Sequence, residues 1–318
     1  MNKIAGKHLL IGIMAGVVLA SAGYFVASDV AGSSAANRRG TIIPGRVVST
    51  YGPVENARVR IAGEETYTLT DREGRYELIS AHPPGTRLVV TAGKEGWFSN
   101  GQVAGRSGRI RDIVLNPIYL DDRHDYRFIS PVTCSRCHVN LTRYYDRSKM
   151  AHTTSNPKVL DLYYGTDALL RKGIGPGYRL DNPQSQGNCT TCHAPSVAGS
   201  IPWSQDLNDV LRSPRTEWDG ISCDYCHKVR KVIKDPSRPS GRAAVLERQA
   251  PARGNSILVF GPYDDVVVPP MAASYNPLFD QGQFCSLCHS HYKKLDKGQT
   301  WDSRSVYSTA EWEGFGLG

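Results

Sequence analysis

The sequence predicts two architectures in series. The first is a small all-β sandwich over residues 41–117, and the second is a mainly α-helical and irregular domain over residues 119–318. Three observations predict them. Residues 41–117 alternate apolar and polar side chains with period two between turn residues, and contain no cysteine. All eight cysteines of the 318-residue chain fall in four copies of Cys-x-x-Cys-His. The chain around those copies is poor in long periodic segments and rich in Pro, Gly, Asn and Ser.

At the N-terminus, Lys3 and Lys7 precede the apolar run Leu9–Leu19, and Ala20-Ser21-Ala22 has the form of a cleavage site. Residues 1–27 therefore read as a secretory signal peptide. The apolar stretch also extends to Ala27, long enough for an uncleaved N-terminal membrane anchor. Either outcome leaves the basic end inside and exports the rest. Residues 28–40, small and polar, read as a linker.

Over 41–117, Ala57, Val59 and Ile61 alternate with Arg58 and Arg60, and Tyr76 and Leu78 alternate with Arg75 and Glu77. Leu88-Val89-Val90 and Ile113-Val114-Leu115 are further strand candidates. Asp71-Arg72-Glu73-Gly74 and Pro83-Pro84-Gly85 are turn signals. Strands at this spacing predict a small sandwich. The phrases GRVV (45–48), GPVENARVRI (52–61), TLTDREGRYEL (68–78), PPGTRLVV (83–90) and KEGWF (94–98) resemble the carboxypeptidase regulatory-like family of β-domains. The resemblance implies an immunoglobulin-like seven-strand fold and an accessory role, as spacer or interaction module, without peptidase activity. With its own apolar pattern, this segment is expected to fold alone.

The four motifs are Cys134-Ser-Arg-Cys137-His138, Cys189-Thr-Thr-Cys192-His193, Cys223-Asp-Tyr-Cys226-His227 and Cys285-Ser-Leu-Cys288-His289. A lone Cys-x-x-Cys is equally a redox dithiol or half a zinc site. Four copies, each followed by His, match the attachment pattern of c-type haem. Two thiols three residues apart add to the two vinyl groups of one porphyrin, and the adjacent His becomes the proximal iron ligand. Eight cysteines in an exported chain would otherwise suggest four disulfides; the uniform His suffix argues against that. The sequence thus predicts four covalently bound c-type haems. Helix candidates are Val139–Ala151, Trp203–Leu211 and Glu217–Val232. With so little side-chain apolar surface, four haems would act as the core, and the domain is expected not to fold without them.

Beyond the motifs, CSRCHVNLTRYYDRSKMAH (134–152), NCTTCHAP (188–195), WDGISCDYCHKV (218–229), FGPYDD (260–265), ASYNPLFDQGQFCSLCH (273–289) and VYSTAEWE (306–313) resemble the c-554-type multihaem cytochrome c family. The resemblance implies closely packed haems, mostly with two His ligands, that relay electrons. Some members are soluble carriers, and similar tetrahaem proteins polymerise into extracellular filaments. Two departures stand out. Where the family often has a His before the serine–tyrosine stretch, this chain has Met271-Ala272-Ala273. It also runs only briefly past Glu313, where longer members continue to another motif.

Of the nine histidines, four are proximal and His8 lies in the signal segment. His82, His124, His152 and His291 remain for four sixth positions. His152 sits in the family-like Ser148–His152 phrase. His291, two residues after a proximal His, cannot reach the same iron from the opposite face and would serve a neighbour. His124 precedes the first motif by ten residues. His82 stands in the turn Ser80-Ala81-His82-Pro83-Pro84, where it would complete a haem of its own chain or of a neighbouring one. Without it, one iron is left to Met271, Met150, water or a partner's His, and a thioether ligand would raise the potential.

Full six-coordination predicts an electron-transfer protein rather than an enzyme, one that meets redox partner proteins or extracellular electron acceptors, or self-assembles into filaments. The alternative is an oxidoreductase with one open haem acting on a small nitrogen or oxygen species. No Cys-x-x-Cys-Lys variant is present, which removes the signature of haem nitrite reductases. The expected location is exported: periplasmic, cell-surface or extracellular. The formal charge of +8 does not indicate nucleic acid. Lys3 and Lys7 leave with a cleaved signal, haem propionates add negative charge, and the sequence has no Arg-rich run or aromatic RNA-binding motif.

Overall fold

The computed structural model describes residues 41–302, except 106–107, 166–170, 172, 174–175, 201–205, 213–219, 239, 250–256, 290–291 and 295–299. The expected signal or anchor, the linker, His8, His291 and the 306–313 phrase lie outside the described residues. Gly40–Gly318 form one compact unit. Its architecture is mixed: many β-strands in several sheets, with few and short helices. Among the described residues no helix is long and apolar enough to cross a membrane.

The first half builds two four-stranded sheets. In one, β1 (Thr41–Ser49) pairs antiparallel with β2 (Gly52–Pro53) and β5 (Arg75–Ser80), and parallel with β9 (Ile113–Val114). In the other, β3 (Arg58–Ile61), β4 (Tyr67–Leu69), β6 (Leu88–Gly93) and β8 (Asn100–Ala104) lie in the order β4-β3-β6-β8, all antiparallel. The expected alternation is the one observed. Val59 and Ile61 are buried in β3, and Tyr76, Leu78 and Ser80 in β5, while Arg75, Glu77 and Ile79 face solvent. Both sheets turn these residues into a single cluster of thirteen buried side chains, from Ile43 to Leu115. Each fully buried aliphatic contributes roughly 1.5–3 kcal/mol, so a one-residue slip of either strand would forfeit its whole set. The Asp71–Gly74 turn closes with Gly74 at φ +73, where a Cβ would stand 2.3 Å from the Val47 carbonyl.

A short ribbon, β7 (Trp97–Phe98) with β10 (Asn116–Pro117), leads away from the sheets. The second half is built of one-turn and two-turn helices, loops and two-stranded ribbons. The helices are α1 (Pro131–Cys134), α2 (Val139–Asp146), α3 (Pro157–Tyr164), α4 (Tyr178–Asp181), α5 (Thr190–His193), α6 (Pro195–Ser200), α7 (Leu207–Arg212), α8 (Cys223–Cys226) and α9 (Ser286–His289). The ribbons are β11 (Val229–Lys234) with β12 (Arg242–Leu246), β13 (Ile257–Gly261) parallel to β14 (Met271–Tyr275), and β15 (Tyr292–Lys294) with β16 (Thr300–Asp302).

The helix expected over Val139–Ala151 ends at Asp146. Of Trp203–Leu211, the described part contains α7. The helix expected over Glu217–Val232 is not formed: its described part is the single turn α8, then the strand β11, which finds its partner in β12. Apolar clusters here are small. Ile118, Leu258 and Phe260 form one, Tyr163, Tyr164 and Leu207 a second, and Ala194, Val197 and Val210 a third.

The two halves touch through specific contacts. The Ser99 amide donates to the Ala273 carbonyl (2.8 Å) and the Gly63 amide to Asp265 Oδ2 (2.8 Å). Arg58 stacks on the Tyr275 ring with its guanidinium 4.6 Å from the centroid.

Candidate functional site

Each Cys-x-x-Cys-His copy folds as one helical turn. Its mark is a hydrogen bond from the His amide to the carbonyl of the first Cys: His138 to Cys134 at 2.9 Å, and His193 to Cys189, His227 to Cys223 and His289 to Cys285 each at 3.0 Å. Local sequence sets the third turn, where Ser222 accepts from the Tyr225 amide; the first turn follows directly on α1, whose start is capped by Ser130 accepting from the Val132 amide with Pro131 at the first helical position. One helical turn brings positions i, i+3 and i+4 to one face, so each copy presents two thiols and an imidazole together.

All eight cysteines are free thiols. They also interact across motifs. Cys134 influences Cys223 electrostatically, and Cys192 influences Cys288, linking the first motif with the third and the second with the fourth. The neighbouring Cys288 thiol draws the Cys192 thiol down to about 7 against the opposing effect of burial, and the Cys288 thiol rises correspondingly. Burial, with the neighbouring Cys285, pushes Cys226 up to about 12. Among the described residues no group of three or more His, Cys, Asp and Glu side chains is arranged to hold a bare metal ion.

The four motif histidines differ in setting. His227 Nδ1 donates to the Phe260 carbonyl at 2.6 Å, which places the ring's lone pair on Nε2. His193 Nδ1 is buried without a hydrogen-bond partner. Burial lowers both imidazoles, keeping them neutral. His138 is exposed beside exposed Cys137, and the apolar Val132, Val139, Leu141 and Tyr144 around it are 55–73% exposed.

The sixth-ligand candidates are held otherwise. His152 Nε2 donates to the Asp146 carbonyl at 2.7 Å, although the segment itself is well placed. The next residue, Thr153, donates from Oγ1 to the His193 carbonyl (2.6 Å), and the Ile221 amide, ahead of the third motif, donates to the Met150 carbonyl (2.9 Å). His124 Nδ1 accepts from Arg248 at 2.9 Å, so its proton sits on Nε2. His82 Nε2 lies 2.8 Å from Glu64 Oε1 of the β3–β4 loop, and its other polar partners are Ser80 of β5 and Thr41 of β1. Each of the three would have to exchange its present partner to offer Nε2 to an iron.

One cluster carries no motif in the sequence. Lys228, directly after the third Cys-x-x-Cys-His, is fully buried. Its ammonium donates to Asp224 Oδ1 and to the Leu258 carbonyl, both at 2.6 Å, and lies 5.2 Å from the Tyr126 ring centroid. Asp224 Oδ2 accepts from the Tyr126 hydroxyl (2.9 Å) and the Ile129 amide (2.7 Å). Burial lowers the Lys228 ammonium even though Asp224 opposes the shift. The i, i+4 spacing of Asp224 and Lys228 is the available signal, but nothing local marks the pair as buried. It fastens the 126–129 segment, and through it the first motif, to the third.

Comparison with protein-family models, with curated proteins and with solved structures gave no match.

Proposed function

We propose that the chain is an exported tetrahaem c-type cytochrome of the c-554 type that relays electrons, with the two sheets as an accessory immunoglobulin-like domain. One observation carries the reading: all four motifs close the same turn, the His amide bonding the first Cys carbonyl, a geometry that brings Cys, Cys and His toward one face. The thiol pairs Cys134/Cys137, Cys189/Cys192, Cys223/Cys226 and Cys285/Cys288 would each hold a porphyrin, and His138, His193, His227 and His289 its iron.

The residues fit such a group. The eight thiols are free, His227 is in the tautomer that offers Nε2, and burial lowers the half-buried His193 imidazole, favouring its uncharged form. The apolar surface of Val132, Val139, Leu141 and Tyr144 flanks the first motif. The apolar clusters around the motifs, of three buried residues each, are small beside that of the sheets. A bound haem supplies a one-electron centre. The chain's part is to set those centres close together, and the coupling of Cys134 with Cys223 and of Cys192 with Cys288 supports attachment points that would lie near one another in two pairs. Redox partner proteins, extracellular acceptors or neighbouring subunits of a filament would take the electrons onward.

A second reading keeps one haem open for a small nitrogen or oxygen species. The present engagement of His82, His124 and His152 with other partners favours it. Spectroscopy of the haem-loaded protein separates the two. A low-spin spectrum for all four haems, with His152→Ala turning one high-spin while all remain attached, supports the carrier. A high-spin ferric band in the unaltered protein that shifts with cyanide supports the open site.

A further inference from the structure

We propose that the β-sheet half is part of the setting of the third motif: Phe98, through the Ile118–Leu258–Phe260 cluster on which Phe279 also packs, fixes the orientation of the His227 imidazole. This rests on the reading of His227 as an iron ligand, and it makes Phe98 a positioning residue within what the sequence presents as a separate module.

His227 is held on two sides. At the ring edge, Nδ1 donates to the Phe260 carbonyl at 2.6 Å, and the Phe260 amide returns a bond to the His227 carbonyl at 3.0 Å. On the ring face, Phe279 stacks at 5.5 Å with an interplanar angle of 17°, backed by Phe284 at 4.7 Å. Edge and face together determine both tilt and rotation of the imidazole plane.

Both supports lead to the sheets. Phe260 and Leu258 alternate to one side of β13 and are buried in a cluster with Ile118, against which Phe98 and Phe279 pack. Phe98 is the last residue of β7, and the next amide, Ser99, donates to Ala273 of β14 at 2.8 Å. Ala273 is in register with Val259 and Ser274 with Phe260. A displacement of β7 therefore reaches His227 by two routes, one through the shared cluster that carries Phe260 and supports Phe279, and one through the β14–β13 ladder. Contacts of this kind fix the orientation and basicity of a metal-ligating imidazole. His227 is the motif histidine that both bonds the Phe260 carbonyl and stacks on Phe279. The effect should thus be confined to one haem.

The test uses the full-length, haem-loaded protein carrying Phe98→Ala, Phe98→Leu or Phe279→Leu. Low-temperature electron paramagnetic resonance reads the ligand-plane geometry of each ferric haem, and redox titration reads each potential. Phe98→Ala and Phe279→Leu should shift the resonance and potential of the same single haem and leave the other three in place, with four haems still attached by mass. Phe98→Leu, which keeps most of the volume, should restore most of the original signal. Four attached haems with every signal unchanged in both Phe98→Ala and Phe279→Leu would overturn the proposal, as would an equal drift of all four, which reports general loosening. If Phe98→Ala does not fold, Phe98→Val is read in its place, with the same expected single-haem shift and the same overturning result. A chain that carries no haem at all refutes the underlying assignment instead, a failure that mass alone distinguishes.

Discussion

Arg60 of β3 and Asp264 of the loop after β13 form an ion pair across more than two hundred residues of chain. Nη2 donates to Oδ2 at 2.8 Å, and Nε lies 2.7 Å from Oδ1. The Asp264 side chain is 1% exposed, and Arg58 approaches the same carboxylate at 3.5 Å. A carboxylate this buried is stable only while its cations stay in place, so the sheets and the motif-bearing half are clamped rather than tethered.

Removing one partner of a buried pair costs about 3–5 kcal/mol. Asp264→Ala leaves two arginines that are partly exposed and can rehydrate, so a loss near the lower end, about 3 kcal/mol, is expected. A urea midpoint measured on the full chain checks it. A variant within about 0.5 kcal/mol of the original, the scatter of a neutral surface change, would show that the clamp is idle.

Gly93 gives a steric test of the same joint. A Cβ there would stand 2.3 Å from the Asp264 carbonyl oxygen, whereas at Gly261 it would meet nothing within 4 Å. Gly93→Ala should cost about 1–3 kcal/mol through forced backbone movement, and Gly261→Ala should be close to neutral. Equal thermal midpoints for the two variants would mean that the halves do not meet at Gly93.

The Asp224–Lys228 pair should behave as a buried ion pair. Lys228→Met strands the carboxylate and is expected to cost about 3–5 kcal/mol. The double variant Lys228→Met, Asp224→Asn should recover part of that loss, because no net charge then remains buried. Denaturant titration of the three proteins gives the comparison, and additive losses would contradict the pairing.

Asp122 and Arg248 predict a pH dependence. Burial alone would raise the Asp122 carboxyl, but hydrogen bonds and charge from Arg248 outweigh it and hold the carboxyl below its ordinary value. A depressed folded pKa contributes stability that is fully present above the unfolded value, about 4. That stability is lost as pH falls through the folded one. The melting temperatures of the original and Asp122→Asn should therefore differ at neutral pH and converge under acid. A constant gap would assign the effect of the substitution to packing.

Legibility in the sequence depends on how local the cause of each feature is. Period-two alternation at Val59, Ile61, Tyr76 and Leu78 is a local property, and the strands appear where it runs. The motif turns are local as well. The Glu217–Val232 segment departs from its helical expectation because Val229–Lys234 takes its conformation from Arg242–Leu246, a partner that the segment does not contain. The burial of Lys228 and Asp264, and the bond of His227 to Phe260, depend on residues about thirty to two hundred positions away. A boundary near Pro117 rests on the absence of cysteine on one side. The shared cluster of Phe98, Ile118 and Phe260 shows that packing runs across it.

The most direct test is the intact mass of the mature, unreduced protein exported from a host with cytochrome c maturation, read beside acid–acetone extraction of its colour. Four covalent haem additions per chain, resistant to extraction, are the predicted result. Two or fewer additions, or eight cysteines that all remain free to alkylation in a colourless protein, would contradict the assignment of Cys134, Cys137, Cys189, Cys192, Cys223, Cys226, Cys285 and Cys288 as haem-bearing thiols.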